Sequence, residues 1–528
     1  MLWVKESNKK NALFVDIFKS NKLQRPVNFI ESKACSPPRK SDTVALRKRK
    51  EGNELFGQRE WAEAMEMYNE SLCFAKNGSK HISLAYANRS SCFLNMKLYN
   101  ECLIDIELAK EAGYPMDLME KLNQRKEDCL KSIEKAAKSL QIFEPKLSYE
   151  ADEKFPCMAN VLKFEQGDDG DYALCAKEDI DVGQTIVVES AFVKCLLRYG
   201  RKCSICLKGN TNLVPCENCA TAMFCSNECK VSFLHKYECG LRYSEDESLN
   251  GGILEAARAI ILGVNAFTTV DQLMEFVEQT ISSDPNELLD SLIDEQSKYR
   301  AFLKLPLAND DDDDIFIAIA YCTYKFILNI PGIKAIFESR KHRRFLMHFV
   351  THCMKVTSKN SLQEVRVVRR KEYALVYTQT GAITKYLKHS CAPNATMSQT
   401  NGNLICVTVR PVKMGERLLI SCYDMLLDSK ETRQRQLWEN KQFICQCTRC
   451  EGHTATLAQR KRIASDPDFH DIIFSYPITE SDVDKLPQMI AKCEAVSRKY
   501  GDVIWCDEIG RVINIYIKLL NFRMSGLF

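Results

Sequence analysis

Hydrophobic and polar positions change period several times along the chain, and each change marks a candidate element or boundary. Residues 1–42 are polar and basic: Lys, Glu, Asn and Asp interrupt every apolar stretch of the first twenty, and Pro37 and Pro38 lie near the end, which predicts an irregular lead-in. From Thr43 small and bulky residues recur at helical spacing. Gly52, Ala64, Tyr68 and Ser71 are matched 38 residues later by Ser90, Cys102, Ile106 and Ala109, and Pro115 closes the second unit. Small residues let the two helices of a hairpin approach closely, and large ones fill the space between hairpins. A third helix pair is expected over about 118–140. From 151 to 193 the pattern shortens to strands, 173–176 and 185–188, around a turn at 180–183. Residues 241–370 read as mostly helical. The acidic run 310–314 breaks them as a solvated loop with no metal role. The longest apolar run, 315–330, contains Lys325 and is too short for comfortable spanning, so it reads as a buried helix. Strands resume at 366–377 and 404–409, and helices at 480–500 and 505–522, so two or three helices are expected after His453.

Composition narrows the class. The 528 residues amount to three or four domains, and 45% hydrophobic with 27% charged content is globular. With 73 Lys+Arg against 70 Asp+Glu, the net charge of +3 removes the electrostatic case for a dedicated nucleic-acid or membrane-surface binder. No secretory apolar segment is visible at the N-terminus, so the expected location is cytoplasmic and nuclear. The 25 cysteines then read as thiols or metal ligands.

The strongest chemical signal is Cys203-x2-Cys206-x9-Cys216-x2-Cys219-x5-Cys225-x3-Cys229-x5-His235-x3-Cys239. Eight soft ligands in so short a segment are what two tetrahedral Zn²⁺ ions need. A third cluster, Cys445-x-Cys447-x2-Cys450, offers three thiolates, and Cys391 is the candidate fourth. Eleven cysteines and His235 would fill three sites, leaving 14 cysteines, of which Cys92, Cys102 and Cys129 fall at packed positions of the repeat helices.

Five resemblances follow from these residues. The N-terminal pattern resembles the tetratricopeptide (TPR) repeat, with an insertion around 76–80. Arg49, Asn53, Asn88, Lys121 and Arg125 resemble the carboxylate clamp by which some TPR domains grip the acidic C-terminal tails of Hsp90 and Hsp70 chaperones. The ligand order at 203–239, with Phe224 before Cys225, resembles the MYND zinc finger. That resemblance implies interleaved sites, Cys203, Cys206, Cys225 and Cys229 on one ion and Cys216, Cys219, His235 and Cys239 on the other, and a proline-rich or deacetylase-complex-type protein partner. His389-Ser390-Cys391-Ala392-Pro393-Asn394, Gly415-Glu416-Arg417-Leu418 running on to Tyr423, and Phe443 before Cys445 resemble the motifs of SET-domain lysine methyltransferases. The order of parts resembles the TPR-bearing fourth subtype of the SET-and-MYND-domain family.

The resemblance implies an α+β multidomain chain: a polar lead-in (1–42), TPR-like helices (43–145), SET N-terminal strands (151–200), the MYND finger (203–239), a helical insert (240–365), the SET catalytic core (366–440), a post-SET zinc segment (441–452) and C-terminal helices (453–528). It implies methyl transfer from S-adenosylmethionine to a protein lysine. Tyr423 would orient the amine, Phe443 would stack on adenine, and Gly170, Lys388 and His389 would contact the cofactor. The rival class is an inactive zinc-stabilised adaptor. Three departures bear on this choice, one being that the Asn-Ala element expected on the preceding helix has no clear match near 354–357. The second glycine of the family's GxG turn is Tyr172, and its Asn before His-Ser-Cys is Lys388. A cation about 4 Å from a sulfonium would cost roughly 1–4 kcal/mol. Pairing of Lys388 with the cofactor carboxylate would offset it. The few C-terminal helices imply a more open lysine channel. His342, His348 and His352 read as surface or packing residues.

Overall fold

A computed structural model describes residues 21–135, 144–167, 170–197, 200–308, 314–368, 372–477 and 485–525. The chain forms two compact units, one of Met1–Ile142, Phe192–Pro285 and Tyr299–Thr380, the other of Phe143–Ala191, Asn286–Lys298 and Gly381–Phe528.

In the first unit the expected irregular lead-in contains a helix, Asn21–Ser32. Its Val27 and Ile30 are buried with Ile253, Ile317, Ala318 and Cys322, so tertiary burial stabilises a twelve-residue helix that carries Pro26 inside it. Residues 1–20 lie outside the described residues. Four helices follow, Asp42–Gly57, Trp61–Phe74, Lys80–Asn95 and Tyr99–Glu111. Ser41 accepts from the Val44 N–H and Ser79 from the His81 N–H, satisfying donors that a helix start leaves unpaired. The small repeat position is explained at Gly52, where an added Cβ would lie 2.6 Å from the Tyr68 ring. Where a third pair was expected, a 3-10 turn at Met116–Leu118 leads into one helix, Met119–Lys135. Residues 136–143, which would carry its partner, are outside the described set. Cys92, Cys102 and Cys129 are fully buried in the shared core.

The insert is helical, with Glu247–Ala266, Val270–Ser282, Asp314–Leu328 and Arg340–Asn360 packing around Phe302, Phe337, Phe345 and Phe349. The acidic run at 310–313 lies outside the described residues, and Asp314 opens a helix. His352 is half-buried against the Leu303 carbonyl, 3.0 Å away, and desolvation drops its pKa to about 4, so it is a neutral packing residue. The strand expected at 366–377 is two antiparallel strands, Leu362–Val368 and Glu372–Thr380, with 369–371 outside the described residues. Val193–Leu196, within the strand region expected over 151–200, pairs with the second of them.

The second unit holds the hairpin Leu162–Gln166/Tyr172–Ala176 and an antiparallel sheet in the order Ala395–Thr400, Asn403–Thr408, Thr185–Ser190. A short parallel pair joins Lys388–His389 to Leu419–Ile420. Four helices follow His453 where two or three were expected: Leu457–Ala464, Pro467–Ser475, Leu486–Lys499 and Asp507–Ser525, with 478–484 outside the described residues. The first two escape a periodicity reading because they are eight and nine residues long, and the first begins on a Thr456/Gln459 capping box. Together they cover Val182, Ile405, Val407 and Val409 of the sheet.

Two buried charges give predictions. Arg89 and Asp105 have no exposed surface and are joined by two bonds of 2.7 and 2.6 Å. Asp105→Ala, which strands a buried guanidinium, is expected to lower stability by about 3–5 kcal/mol, while Arg89→Met with Asp105→Leu recovers most of the loss. Urea midpoints of the three proteins check this, and a single-variant loss below about 1 kcal/mol would sink it. Glu189 is buried, accepts from the Ala382 and Ile383 N–H groups at 2.5 and 3.1 Å, and has its pKa raised by desolvation from 4.5 to about 7. The folded state therefore holds this proton more tightly than the unfolded chain. Its contribution is complete below about pH 4.5 and is lost as pH rises to about 7, on the order of 3 kcal/mol. Denaturation at pH 5, 6 and 7.5 should show that Glu189→Gln flattens this slope.

Candidate functional site

Three ligand sets converge, each with its donor atoms within 4.8 Å of one another: Cys203, Cys206, Cys225 and Cys229; Cys216, Cys219, His235 and Cys239; and Cys391, Cys445, Cys447 and Cys450. The pairing is the interleaved one. Zn–S bonds of about 2.3 Å in a tetrahedron place sulfurs about 3.8 Å apart. The observed Sγ separations of 3.4 Å for Cys206–Cys225, 3.9 Å for Cys225–Cys229 and 3.6 Å for Cys391–Cys450 match that requirement. The donor sets, all thiolate or imidazole, fit Zn²⁺. Strands of two residues, Val214–Pro215 and Met223–Phe224, carry the loops of the first two sites. Phe224 meets the His235 ring edge-on at 4.8 Å and fixes its orientation.

The third set belongs to a chain crossing. Lys388 N–H donates to the Leu418 carbonyl at 3.3 Å, Ser390 to Ile420 at 2.9 Å and Asn394 to Leu419 at 3.1 Å. The Asn394 side chain accepts from the Leu419 N–H at 2.8 Å and donates to the Arg417 carbonyl at 2.9 Å. Leu418 N–H in turn reaches the Leu174 carbonyl at 2.8 Å, so the strand after Gly170 is tied to the same crossing. Arg433, buried, lies 3.6 Å from the Cys450 sulfur and donates to the Asp428 carbonyl at 2.7 Å. Asn394 was legible as a member of the motif but not in this bridging role, and Arg433 was not signalled by the sequence.

The sequence-predicted cofactor residues gather around this crossing. Gly170 sits at φ +77° in the hairpin turn, and its Cβ position has nothing within 4 Å. Lys388 pairs with Asp171, the residue after Gly170. Asp171 was missed, although its place beside Gly170 is the signal that would have found it. His389 Nδ1 accepts from the Cys422 N–H at 3.2 Å, which leaves its proton on Nε2, and burial lowers its pKa. The ring is neutral and hydrogen-bonded to the backbone. Phe443 meets it edge-on at 5.6 Å. Tyr423 packs with Phe443 beside Cys391, Met425 and Leu437, and burial raises the pKa of its phenol, so the hydroxyl keeps its proton at neutral pH.

A second cluster lies among the N-terminal helices. Asn53 Oδ1 accepts from Tyr68 Oη at 3.0 Å and from Asn88 Nδ2 at 2.7 Å. Arg125 donates to Ser90 Oγ at 2.9 Å and to the Ala87 carbonyl. The buried Nε of Arg49 has no hydrogen-bond partner among the described residues. Lys121 is exposed one turn before Arg125 on the same helix. The sequence did not signal that Asn53 and Asn88 bond to each other.

Comparison with known proteins points to the same chemistry. The SET domain family model matches residues 171–423. The zebrafish (Danio rerio) protein-lysine N-methyltransferase SMYD4 is 27% identical over 231 residues, covering 38% of this chain and 30% of that protein. The human histone-lysine N-methyltransferase SMYD3 is 25% identical over 270 residues, covering 49% and 54%. A SET and MYND domain-containing protein of Dictyostelium discoideum is 21% identical over 348 residues, covering 56% and 83%. The chain spans about a third of the length of the SMYD4 relatives from zebrafish, mouse and orangutan. The SET match covers a little under half of the chain, and together with these relatives and three complete zinc-ligand sets, two of them interleaved ahead of the crossing, it makes the chain similar to SET-and-MYND-domain proteins.

Proposed function

We propose that the chain is a protein-lysine N-methyltransferase that uses S-adenosylmethionine. The observation that carries this reading is the gathering of Gly170, Asp171, Lys388, His389, Tyr423 and Phe443 around one chain crossing. The residues suit the cofactor: the open space at Gly170 admits a ligand, and the Phe443 ring suits a base. The Lys388–Asp171 pair offers a cation and an anion to the carboxylate and ammonium of an amino-acid tail. Asp171 also answers the charge problem posed by Lys388, because the pair is neutral and the 1–4 kcal/mol penalty of an isolated cation is largely cancelled.

When bound, S-adenosylmethionine supplies an electrophilic methyl group on a sulfonium. The substrate lysine must arrive neutral although its free pKa is about 10.4, and burial in a channel lowers that value by disfavouring the ammonium. Tyr423, protonated at neutral pH, can accept from or donate to that amine and fix its lone-pair direction, so alignment rather than base catalysis is its contribution. His389, neutral and already hydrogen-bonded, holds the Cys422 amide and takes no proton from substrate.

The N-terminal helices are read here as a TPR array and 203–239 as a MYND finger, both modules for protein partners. The array's donor cluster, Arg49, Asn53, Asn88, Lys121 and Arg125, suits an acidic C-terminal tail of the Hsp90/Hsp70 type, since charge-assisted bonds to a carboxylate are strong and directional. The finger is proposed to take a proline-rich or deacetylase-complex-type partner. A cytoplasmic and nuclear location is proposed with it, supported by 25 cysteines, all free.

Calorimetry on the full chain tests the cofactor reading with three ligands: S-adenosylmethionine, S-adenosylhomocysteine and methylthioadenosine, which lacks the amino-acid tail. Binding of the first two at micromolar Kd and at least tenfold tighter than the third is expected. Lys388→Asn and Asp171→Asn should each erase most of that preference, and Tyr423→Phe should keep binding while cutting kcat by about 100-fold or more. Absence of heat with all three would leave the adaptor class standing. For the array, a peptide ending in Glu-Glu-Val-Asp should bind and lose about 10-fold or more on Arg49→Ala or Lys121→Ala. Equal binding of its C-terminal amide would rule out the clamp.

A further inference from the structure

The finger and the N-terminal helices share one core. Cys203, Leu213 and Met223 are fully buried in the same cluster as Leu72, Phe93 and Ile106 of the helical array. The polar contacts are equally continuous. Arg89, bonded to Asp105, also donates to Asn69 Oδ1 at 2.5 Å and to the Leu213 carbonyl at 2.8 Å. Asn212 donates to Asp105 at 2.7 Å and to the Glu101 carbonyl at 2.8 Å. Asn69 donates to the Gly200 carbonyl, and Arg201 reaches Glu66 and Glu63, both at 2.9 Å.

We propose that zinc held by Cys203, Cys206, Cys225 and Cys229 controls the folding of the N-terminal helical array, so that metal loading of the finger gates the array's ligand cluster. The finger's regular elements are strands of two residues and helices of four and six, Asn227–Lys230 and Phe233–Glu238, too little to bury a core, so its fold rests on the metal bonds. Without zinc the loops that present Leu213 and Asn212 lose their geometry. The buried Arg89–Asp105 pair then loses two of its partners and meets water, and three buried side chains leave the array's core. The helix that carries Arg89 also carries Asn88 and Ser90, which meet Asn53 and Arg125, so its loosening reaches the ligand cluster directly.

Hydrogen exchange with mass spectrometry on the full chain tests this. Cys225→Ser, which removes one ligand, is expected to speed amide exchange in Trp61–Phe74, Lys80–Asn95 and Tyr99–Glu111 by at least tenfold, together with 203–239. The strands Ala395–Thr400 and Asn403–Thr408 should keep wild-type protection. Cys225→His, which can still ligate zinc, should restore the array. Two results would overturn the proposal: array helices at wild-type rates while the finger exchanges freely, or loss of protection spread equally into the two strands.

Discussion

Two buried arginines, Arg89 and Arg258, organise the first unit, and both end on the zinc-ligand segment. Removing a guanidinium from water costs several kcal/mol, and only a full complement of well-placed acceptors offsets it. Arg89 finds Asp105, Asn69 and the Leu213 carbonyl. Arg258 finds Glu238 at 2.7 Å, the Ser204 carbonyl at 3.3 Å and the Lys194 carbonyl. Leu213, Ser204 and Glu238 all sit on or between zinc ligands. The metal bonds therefore order the acceptors that make two buried cations tolerable, and the helices bearing those cations are held to the finger in return.

The second unit solves a similar problem with backbone bonds. The segment 388–394 meets 416–420 through a run of hydrogen bonds and carries Cys391, so one stretch supplies both the crossing and a metal ligand. Pinning Cys391 to Cys445, Cys447 and Cys450 brings Phe443 to His389, and the crossing brings Lys388 to Asp171. Site geometry here follows from topology, and the site side chains come from segments more than two hundred residues apart in the chain.

That distance explains what the sequence could show. Zinc ligands are legible because coordination chemistry demands particular atoms at short spacing, and all twelve converge as grouped. The hairpin helices are legible because Gly52 must clear Tyr68. The helix Asn21–Ser32 and the short helices after His453 were invisible because their stability lies in contacts with distant partners, Ile253 and Ile317 in one case and Ile405, Val407 and Val409 in the other. Asp171 was passed over for a related reason: its significance lies in Lys388, 217 residues away. Arg49, Asn53, Asn88, Lys121 and Arg125 were legible only as residue types at helical spacing, and the Asn53–Asn88 bond depends on helix packing.

The cysteines show how environment divides one residue type between two chemistries. Eleven of the 25 lie in donor sets. Most of the rest are buried among apolar side chains, where desolvation pushes the thiol up, to about 12 for Cys406 and Cys493, and so keeps it protonated and unreactive at neutral pH. In the donor sets the opposite state is required, because only thiolate binds zinc. Four thiolates on one Zn²⁺ carry a net negative charge, and Arg433 beside Cys450 lies where a cation compensates part of it. The same burial that makes Cys92 an inert packing residue would make Cys203, also fully buried, costly to ionise, unless the metal arrives with folding. Metal binding and burial of the array's core are therefore one event in energetic terms, which is why the finger cannot be treated as a module added to a finished scaffold.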